Sequence, residues 1–259
     1  MKKILALVMA LLMIACCFAG CGGNKVIVAE KESAGEAVAK TLEGYSYTAV
    51  DTQAKALMEV AAGTADAAIV DYVMSIGSIG AGTDYENLVV SGEGYSPENY
   101  GIAFRKGSDA TAKVNEAIAA LKANGKLAEI AKKYKLDELI TANDTFDAFK
   151  QSETDSDWAY IKAKGELIVG ITYFAPMNYK NDAGELVGFE TEFAKAVCEY
   201  LGINVKFQEI SWSAKETELA AKNIDCIWNG MTITDERAAN MSITIPYMAN
   251  KQVLVVKSK

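Results

Sequence analysis

Two runs of alternating strand and helix signals, separated by a polar segment, constrain the fold of this chain more than any other feature. The first run begins with the strand signal of residues 25–29 and continues to a helix pattern that ends near Tyr134. The second begins at Trp158 and ends in a strand signal at residues 252–256. Residues 141–157 between them are polar, acidic and without sustained periodicity, which predicts a linker. Such alternation favours an α/β architecture with a largely parallel sheet in each half.

The chain has enough apolar material for two packed units. It is 259 residues long and 51% hydrophobic, which excludes disorder for most of its length. Two α/β units side by side leave a cleft between them, and ligands of open α/β sheets commonly bind in such a cleft. We therefore expect two lobes of similar size with a ligand cleft between them.

Charge and composition exclude several classes of function. The net charge of −8 argues against a nucleic-acid partner, which requires a basic face. The chain contains no histidine, so catalytic triads and metal sites built on histidine are excluded. An enzyme would have to use Asp, Glu, Lys, Tyr or Cys as its acid or base. We expect neither a metal nor a cofactor.

The first 21 residues have the pattern of an export signal. Lys2 and Lys3 supply the positive start, and an uncharged apolar run follows over residues 4–18. That run of about 15 residues is short for a transmembrane helix. It closes with Phe18-Ala19-Gly20-Cys21, which resembles the bacterial lipobox, where the cysteine is acylated. We expect lipidation of Cys21 and an extracytoplasmic protein anchored to the cell membrane. An uncleaved anchor or a plain signal peptide is the alternative.

Two cysteines remain beyond the predicted signal peptide. Cys198 falls in a helical pattern and Cys226 in an apolar strand signal. We expect two buried free thiols. A disulfide between them is the alternative, because sequence does not show whether they meet.

Nearly the whole chain after residue 24 resembles one family in two pieces. Residues 165–259 resemble the first lobe of the amino-acid solute-binding proteins of family 3, which have the type II periplasmic-binding fold. The resemblance lies in GELIVGITYFAPMNY, ELVGFETEFAKAVCEYLG, NIDCIWNGMTITDER and ITIPYMANKQVLVV. Residues 25–135 resemble the second lobe and the terminal helices, through KVIVAEKESAGEAV, GTADAAIVDYVMS and YGIAFRKGSDATAKVNEAI.

The family places these two lobes in the opposite order, so the resemblance implies a circular permutation. Permutation is physically reasonable where the original termini are exposed and close together. The implied division is a lipoprotein signal peptide at 1–21, the family's second lobe at 24–104, helices at 105–140 that pack on the other lobe, a linker at 141–157 and the family's first lobe at 158–259. Because the new opening severs a hinge strand, we expect looser coupling between the lobes.

The resemblance also implies a function and a set of ligand-binding residues. Such proteins capture a free L-amino acid and deliver it to the permease of an ABC importer, without chemistry, and we expect a monomer. Arg237 matches the arginine whose planar fork binds the ligand carboxylate. Asp71 matches the acid that binds the ammonium group. Gly230 and Thr232 match positions that offer backbone groups and a hydroxyl to the ligand.

Further matches complete the implied pocket. Phe174 and Trp212 match aromatic positions that sandwich the ligand side chain, and Tyr173 lies beside them in sequence. Ser33 and Ala34 begin a helix whose free N–H groups would face the carboxylate. Each of these residues also has a structural interpretation, such as core packing of the aromatic rings.

Some positions depart from the family pattern or vary within it. Glu30 and Asn229 fall where the family varies with its ligand, and both are polar here, which indicates a polar ligand side chain. Glu32 replaces the usual glycine before Ser33. The ITYFAP loop is one residue shorter than the common form and lacks its acidic residue.

Other functions remain open from sequence. A sensory or orphan amino-acid-binding module would share the same pocket but report to a different partner. An enzyme that dehydrates cyclic acids would share the fold and would need a carboxylic acid with a raised pKa over the leaving group. A broken product of a tandem gene would retain two lobes from different copies.

Overall fold

The computed structural model describes residues 24–141 and 157–259. The predicted signal peptide, Cys21 and nearly all of the predicted linker lie outside the described residues. In the part of the chain that is described, no helix has the length and apolar character needed to cross a membrane.

Strands and helices alternate along both halves, and the predicted α/β architecture is confirmed. The strands are β1 (Lys25–Glu30), β2 (Tyr45–Val50), β3 (Ala67–Asp71), β4 (Leu88–Tyr100), β5 (Ala103–Arg105), β6 (Glu166–Ile171), β7 (Tyr179–Lys180), β8 (Leu186–Val187), β9 (Asn204–Glu209), β10 (Cys226–Ile227), β11 (Met241–Ile243) and β12 (Met248–Lys257). The α-helices are α1 (Ala34–Ala39), α2 (Gln53–Ala62), α3 (Tyr72–Ser78), α4 (Ala110–Ala123), α5 (Lys126–Lys133), α6 (Asp157–Lys164), α7 (Phe189–Leu201), α8 (Lys215–Ala220) and α9 (Asp235–Asn240). Single 3₁₀ turns lie at Asp137–Leu139 and Trp212–Ala214.

The first sheet has the strand order β2-β1-β3-β12-β4. Strand β1 is parallel to β2 and β3, whereas β12 is antiparallel to β3 and β4. Helices α1, α2 and α3 pack against it. Helix α2 follows from local sequence, because the Thr52 hydroxyl accepts from the Lys55 amide at 3.0 Å and Gly63 ends the helix at φ +82°. We call this sheet and its helices the first-sheet lobe.

The second sheet has the strand order β11-β5-β10-β6-β9. Strand β6 is parallel to β9 and β10, and β5 is antiparallel to β10 and β11. Helices α4 and α5 pack against α7, which covers β9. Val114, Ile118 and Leu121 recur at spacings of four and three and form a buried stripe on α4. This sheet and its helices form the second-sheet lobe.

The sheets are mixed, and the chain crosses between them at two adjacent places. One crossing follows Tyr100 at the end of β4, and the other precedes Met248 at the start of β12, and these two residues pair. The Tyr247 amide donates to the Tyr100 carbonyl at 3.0 Å. The rings of Tyr100 and Tyr247 lie 6.3 Å apart and are fully buried. The crossings therefore form one packed hinge.

The observed boundaries differ from the predicted ones. Residues 103–105 pair in the second sheet rather than ending the first lobe, and residues 248–257 pair in the first sheet rather than with residues 158–247. An apolar run predicts a strand without indicating its sheet. Strand β4 is long and bulged, and Gly92 and Gly94 have positive φ near its register shifts opposite β12.

Cys198 on α7 and Cys226 on β10 are both buried and both free. Burial raises the pKa of the Cys198 thiol to about 12. Both cysteines therefore pack as small apolar side chains in the core of the second-sheet lobe.

Candidate functional site

A narrow cleft between the two lobes brings together almost all of the residues predicted for the site. It contains about 280 Å³ of space free of protein atoms, part of which is open to solvent. Of the predicted set, Tyr173 alone does not line it, and Gln53 joins the rest. The lining residues are Glu30, Ser33, Ala34, Gln53, Asp71, Phe174, Trp212, Asn229, Gly230, Thr232 and Arg237.

Asp71 is the last residue of β3 and lies in a net of side-chain amides. Its Oδ1 accepts from Asn250 Nδ2 and from Gln252 Nε2, each at 2.6 Å. Its Oδ2 accepts from Gln53 Nε2, and its own amide donates to Gln53 Oε1 at 2.8 Å. Three neutral amides thus fix a carboxylate that is only 6% exposed.

Glu98 on β4 shares the same amide net. Its Oε1 accepts from Asn250 Nδ2 at 2.6 Å and from Gln252 Nε2 at 2.9 Å. Burial, together with the charge of Asp71, raises the pKa of Glu98 to about 8. The two amides of β12 therefore hold two neighbouring acids, and Glu98 avoids like-charge repulsion by keeping its proton near neutral pH.

Glu30 is the last residue of β1 and is 4% exposed. Burial, and to a lesser extent the charge of Asp71, raises its pKa to about 8. Its Oε1 is buried and has no hydrogen-bond partner within residues 24–141 and 157–259. A buried acceptor in this condition is rare in folded proteins.

Arg237 approaches the cleft from α9 on the second-sheet lobe. Its Nη1 donates to the Thr232 carbonyl at 2.9 Å, and its guanidinium lies 5.9 Å from the centre of the Trp212 ring. Its Nη2 reaches across the cleft and donates to the Glu32 carbonyl at 3.2 Å. Thr234 caps α9 by accepting from the Arg237 amide at 3.2 Å, which fixes where the side chain begins.

Gly230 shapes the turn that follows β10. Its φ is +57°, and a Cβ there would lie 2.7 Å from Cε1 of Phe174. Its amide donates at 2.9 Å to Oε1 of the buried Glu190, which also accepts from the Tyr247 hydroxyl. Burial raises the pKa of Glu190 to about 7. The turn therefore depends on a glycine and on one buried acid, and it carries Thr232 into the cleft wall.

Aromatic rings form the other part of the second-sheet wall. Phe174 and Trp212 are 3% and 5% exposed. The Trp212 Nε1 is buried without a hydrogen-bond partner in the described part of the chain. The Lys215 ammonium lies 5.0 Å from the centre of the Trp212 ring, so this ring faces two cations, Lys215 and Arg237.

Three of the predicted site residues have other local roles. The Asn229 amide is bonded to Thr172, through Thr172 Oγ1 at 2.6 Å and the Thr172 carbonyl at 3.0 Å. The Ser33 hydroxyl caps α1 by accepting from the Glu36 amide at 3.1 Å. The expectation for Tyr173 differs from the structure, since its ring lies under the Lys180 ammonium, 5.0 Å away, outside the cleft. Adjacent residues of an extended loop point in opposite directions, so Phe174 takes the inward one.

Glu32 has a left-handed backbone conformation, with φ at +61°. This explains why a glycine is usual at that position in the family that the sequence resembles. Its side chain lies near the cleft mouth, with Oε2 at 3.9 Å from the Lys215 ammonium of the other lobe. Its carbonyl accepts a hydrogen bond from Arg237, so Glu32 contacts the opposite lobe through both its backbone and its side chain.

Sequence reasoning missed the residues that support the site. Asn250 and Gln252 alternate on one face of β12, and that period of two was a usable signal. Gln53 follows the helix cap at Thr52, and nothing in the sequence indicated that it hydrogen-bonds Asp71, 18 residues away. Glu190 and Lys215 resemble ordinary surface charges in sequence, yet they are 1% and 3% exposed.

The cleft presents opposite charges from its two walls. The first-sheet wall carries Asp71 and Glu30, and the second-sheet wall carries Arg237. A small molecule with separated positive and negative groups has partners on both walls. A wider groove beside it, between α1, residues 96–99 and the start of α9, has acidic side chains but no cationic ones in its lining. Among the described residues, no cluster of three or more Cys, Asp or Glu has the geometry to hold a metal ion.

Comparison with known proteins gives one family. Residues 167–259 match the model of the bacterial extracellular solute-binding proteins, family 3. The L-cystine-binding protein of Escherichia coli strain K12 is 34% identical over 99 residues, which cover 38% of this chain and 37% of that protein. A probable amino-acid ABC transporter-binding protein of Haemophilus influenzae is 33% identical over 121 residues, covering 46% of each. The chain thus spans less than half the length of these curated relatives.

Among solved structures, a point mutant of the arginine-bound form of domain 1 from TmArgBP is 30% identical. The match covers 39% of this chain and 84% of that one, with a TM-score of 0.34. The family model and these curated relatives agree, and residues 167–259 of the chain match the bacterial extracellular solute-binding proteins, family 3.

Proposed function

We propose that this chain is an extracytoplasmic binding protein that captures a free amino acid between its lobes and delivers it, as a monomer, to the permease of an ABC importer. The observation that carries the proposal is the meeting of Arg237 and Asp71 in one cleft from opposite lobes. The zwitterion of an α-amino acid carries its carboxylate and its ammonium group on the same α-carbon, so it can contact both residues at once. Relatives named for cystine and for amino-acid transport support this assignment.

Binding is coupled to closure of the lobes in this proposal. The guanidinium of Arg237 already reaches the Glu32 carbonyl of the opposite lobe. A ligand that bonds both walls stabilises the closed arrangement over an open one by the contacts it makes only when closed. The permease would then recognise the closed form. No bond in the ligand changes in this cycle.

The test is a thermal-shift panel of free amino acids on the full chain. One amino acid should raise the melting temperature, and a ligand at a hundredfold excess over its Kd stabilises by about 2.7 kcal/mol. Absence of any shift across the panel, with the protein folded, would contradict the proposal. Turnover of a cyclic acid by the purified protein would instead favour the dehydratase alternative.

Export and anchoring are part of the same proposal. Lys2, Lys3 and the apolar run before Cys21 support a lipoprotein signal. An acyl chain on Cys21 would keep the lobes at the membrane surface beside the permease. Mass spectrometry of the mature N-terminus tests this, because acylation adds the mass of the lipid and a Cys21→Ala variant would lack it.

The permuted order of the lobes is likewise proposed. Lys25 at the start of β1 and Lys257 at the end of β12 lie on the same edge of the first sheet, because β12 is antiparallel to β3 and β1 is parallel to it. Only β3 separates the two strands, which gives about 10 Å at the usual strand spacing. A chain rearranged to begin at residue 158 and to join Lys259 to Asn24 should fold and bind the same amino acid, because residues 258, 259 and 24 can span that distance.

A further inference from the structure

Glu30 is the acid in the cleft whose buried oxygen has no partner. Its carboxylate is 4% exposed, and Oε1 is unbonded in the described part of the chain. Asp71, in contrast, accepts from three side-chain amides. The fold therefore provides hydrogen-bond donors to Asp71 but none to Oε1 of Glu30. Burying an unpaired acid costs folding free energy, so stability alone does not explain Glu30.

The cations near Glu30 have other partners. Arg237 donates to two backbone carbonyls and faces the carboxylate of a ligand under the proposed function. Lys215 lies beside Glu32 at the cleft mouth and over the ring of Trp212. Burial and the charge of Asp71 raise the pKa of Glu30, and the ammonium of Lys215 opposes them. Arg237 lines the same cleft. The buried Oε1 of Glu30 still has no hydrogen-bond partner in the described part of the chain.

We propose that the amino acid held in this cleft has a positively charged side chain and that the Glu30 carboxylate receives that charge. This inference rests on the proposed function. A guanidinium or ammonium group would donate to the unbonded oxygen, and a charge-assisted hydrogen bond is about twice as strong as a neutral one. Asn229, the other polar residue expected to select the side chain, is already bonded to Thr172.

Binding of a cation should release a proton from Glu30. With a pKa of about 8, the unliganded carboxyl is mostly protonated at pH 7. A ligand cation favours the carboxylate and lowers this pKa, so the O–H bond of Glu30 breaks and its proton passes to solvent. Affinity therefore rises with pH and levels off above about 8. Neutral amino acids leave the proton in place.

The experiment compares amino acids that differ mainly in charge. Arginine and citrulline have similar shapes, as do lysine and norleucine. Isothermal titration calorimetry of the full chain should show at least tenfold tighter binding of one cationic member than of its neutral partner. Titration at pH 7 in phosphate and in Tris should show proton release with the cation only. Its affinity should rise about tenfold between pH 6 and pH 7.

A matched pair of variants assigns the effect to Glu30. Glu30→Gln should lose most of the preference for the cation and all of the proton release. Glu43→Gln removes an exposed acid from the same lobe and should keep both. Thermal unfolding confirms that each variant is folded.

Two outcomes would overturn the inference alone. One is a wild-type protein that binds a neutral amino acid as tightly as any cationic one. The other is a Glu30→Gln variant that retains the cationic preference. If folded wild-type protein binds no amino acid at all, the proposed function fails as well, so the two failures are distinguishable.

Discussion

Side-chain amides hold the first-sheet wall of the cleft, whereas ring packing and backbone hydrogen bonds hold the second-sheet wall. Asp71 lies among Gln53, Asn250 and Gln252. Gly230 lies against the ring of Phe174, and Arg237 is oriented by backbone carbonyls and an aromatic ring. The first wall should therefore be sensitive to loss of a hydrogen-bond partner. The second should be sensitive to changes of shape and should tolerate loss of its charge without unfolding.

The largest expected effect on binding comes from Arg237 on the second-sheet wall. Arg237→Ala should weaken amino-acid binding by more than about 100-fold, since truncating one partner of a desolvated charge pair costs about 2–5 kcal/mol. Its partners in the protein are carbonyl groups, so unfolding of the unliganded variant by urea should change little. Arg237→Lys should recover only part of the affinity, because an ammonium lacks the planar fork. Equal loss of stability in the alanine variant would remove the distinction between the walls.

Asp71→Asn on the first-sheet wall should reduce both affinity and stability. An asparagine offers one acceptor oxygen to three amide donors and places its own N–H₂ among them. The free energy of unfolding of the unliganded protein should fall by about 1–3 kcal/mol. Urea denaturation measures this, and calorimetry should show weaker binding. A variant as stable as wild type would show that the amide net does not depend on the carboxylate.

The pH dependence of stability separates the walls further. Glu190 on the second-sheet side has a pKa raised to about 7, and Glu30 and Glu98 on the first-sheet side have values raised to about 8. Above pH 4.5 these three acids therefore bind more protons in the folded protein than in the unfolded protein. The stability that they contribute is fully present below that pH and is lost as pH rises through their folded pKa values. Glu190→Gln should remove about 2–3 kcal/mol of the fall between pH 4.5 and 7.

The further loss of stability between pH 7 and 8 should come from Glu30 and Glu98 on the first-sheet wall. Denaturant titrations of the unliganded protein at half-unit intervals of pH provide the measurement. Glu190→Gln should keep the slope in that upper interval, and Glu30→Gln should reduce it. A stability that rises from pH 5 to 8 in wild-type protein would contradict these assignments.

A methyl group at Gly77 should hold the walls apart without touching either. A Cβ on this residue of α3 would lie 2.9 Å from Cδ of Pro176 on the opposite lobe. Gly77→Ala should therefore weaken binding several-fold by opposing closure. The first-sheet lobe itself should not suffer, because alanine is the better helix former by about 1 kcal/mol. Small-angle scattering with ligand should show incomplete compaction, and unchanged closure would indicate that Pro176 moves aside.

The smallest effect is expected at Glu32, where the lobes touch at the cleft mouth. Glu32→Gly relieves a left-handed conformation at φ +61° and removes an exposed partner of Lys215. The two effects are each about 1 kcal/mol or less and oppose each other. Stability should change by less than about 1 kcal/mol, with little dependence on salt. A large loss would show that the Glu32 carboxylate closes the lobes.

Part of the site was predicted through the resemblance of short motifs to one family, in which Asp71 and Arg237 match ligand-binding positions. Asp71 ends a fully buried strand, and Arg237 follows a helix cap at Thr234. Both positions were predicted, and both line the cleft. The sequence left the direction of Tyr173 open, and its side chain does not line the cleft, since adjacent residues of extended backbone point in opposite directions.

Other features required the folded chain. The partners of Asp71 lie 18 to 181 residues away in sequence, and no sequence pattern indicates that they meet Asp71. The pairing of β12 with the first sheet was also not predictable, because its apolar residues suit either sheet.

The sequence by itself determined the two α/β units and carries the short motifs that resemble one family and imply the residue types expected in the cleft. These depend on local periodicity, helix caps and short motifs, which act over a few residues. Only the tertiary structure decided which acid has partners. Asp71 and Glu30 both end buried strands of one sheet, but β12 lies beside β3 and not beside β1, so its amides reach Asp71 and leave a Glu30 oxygen unbonded.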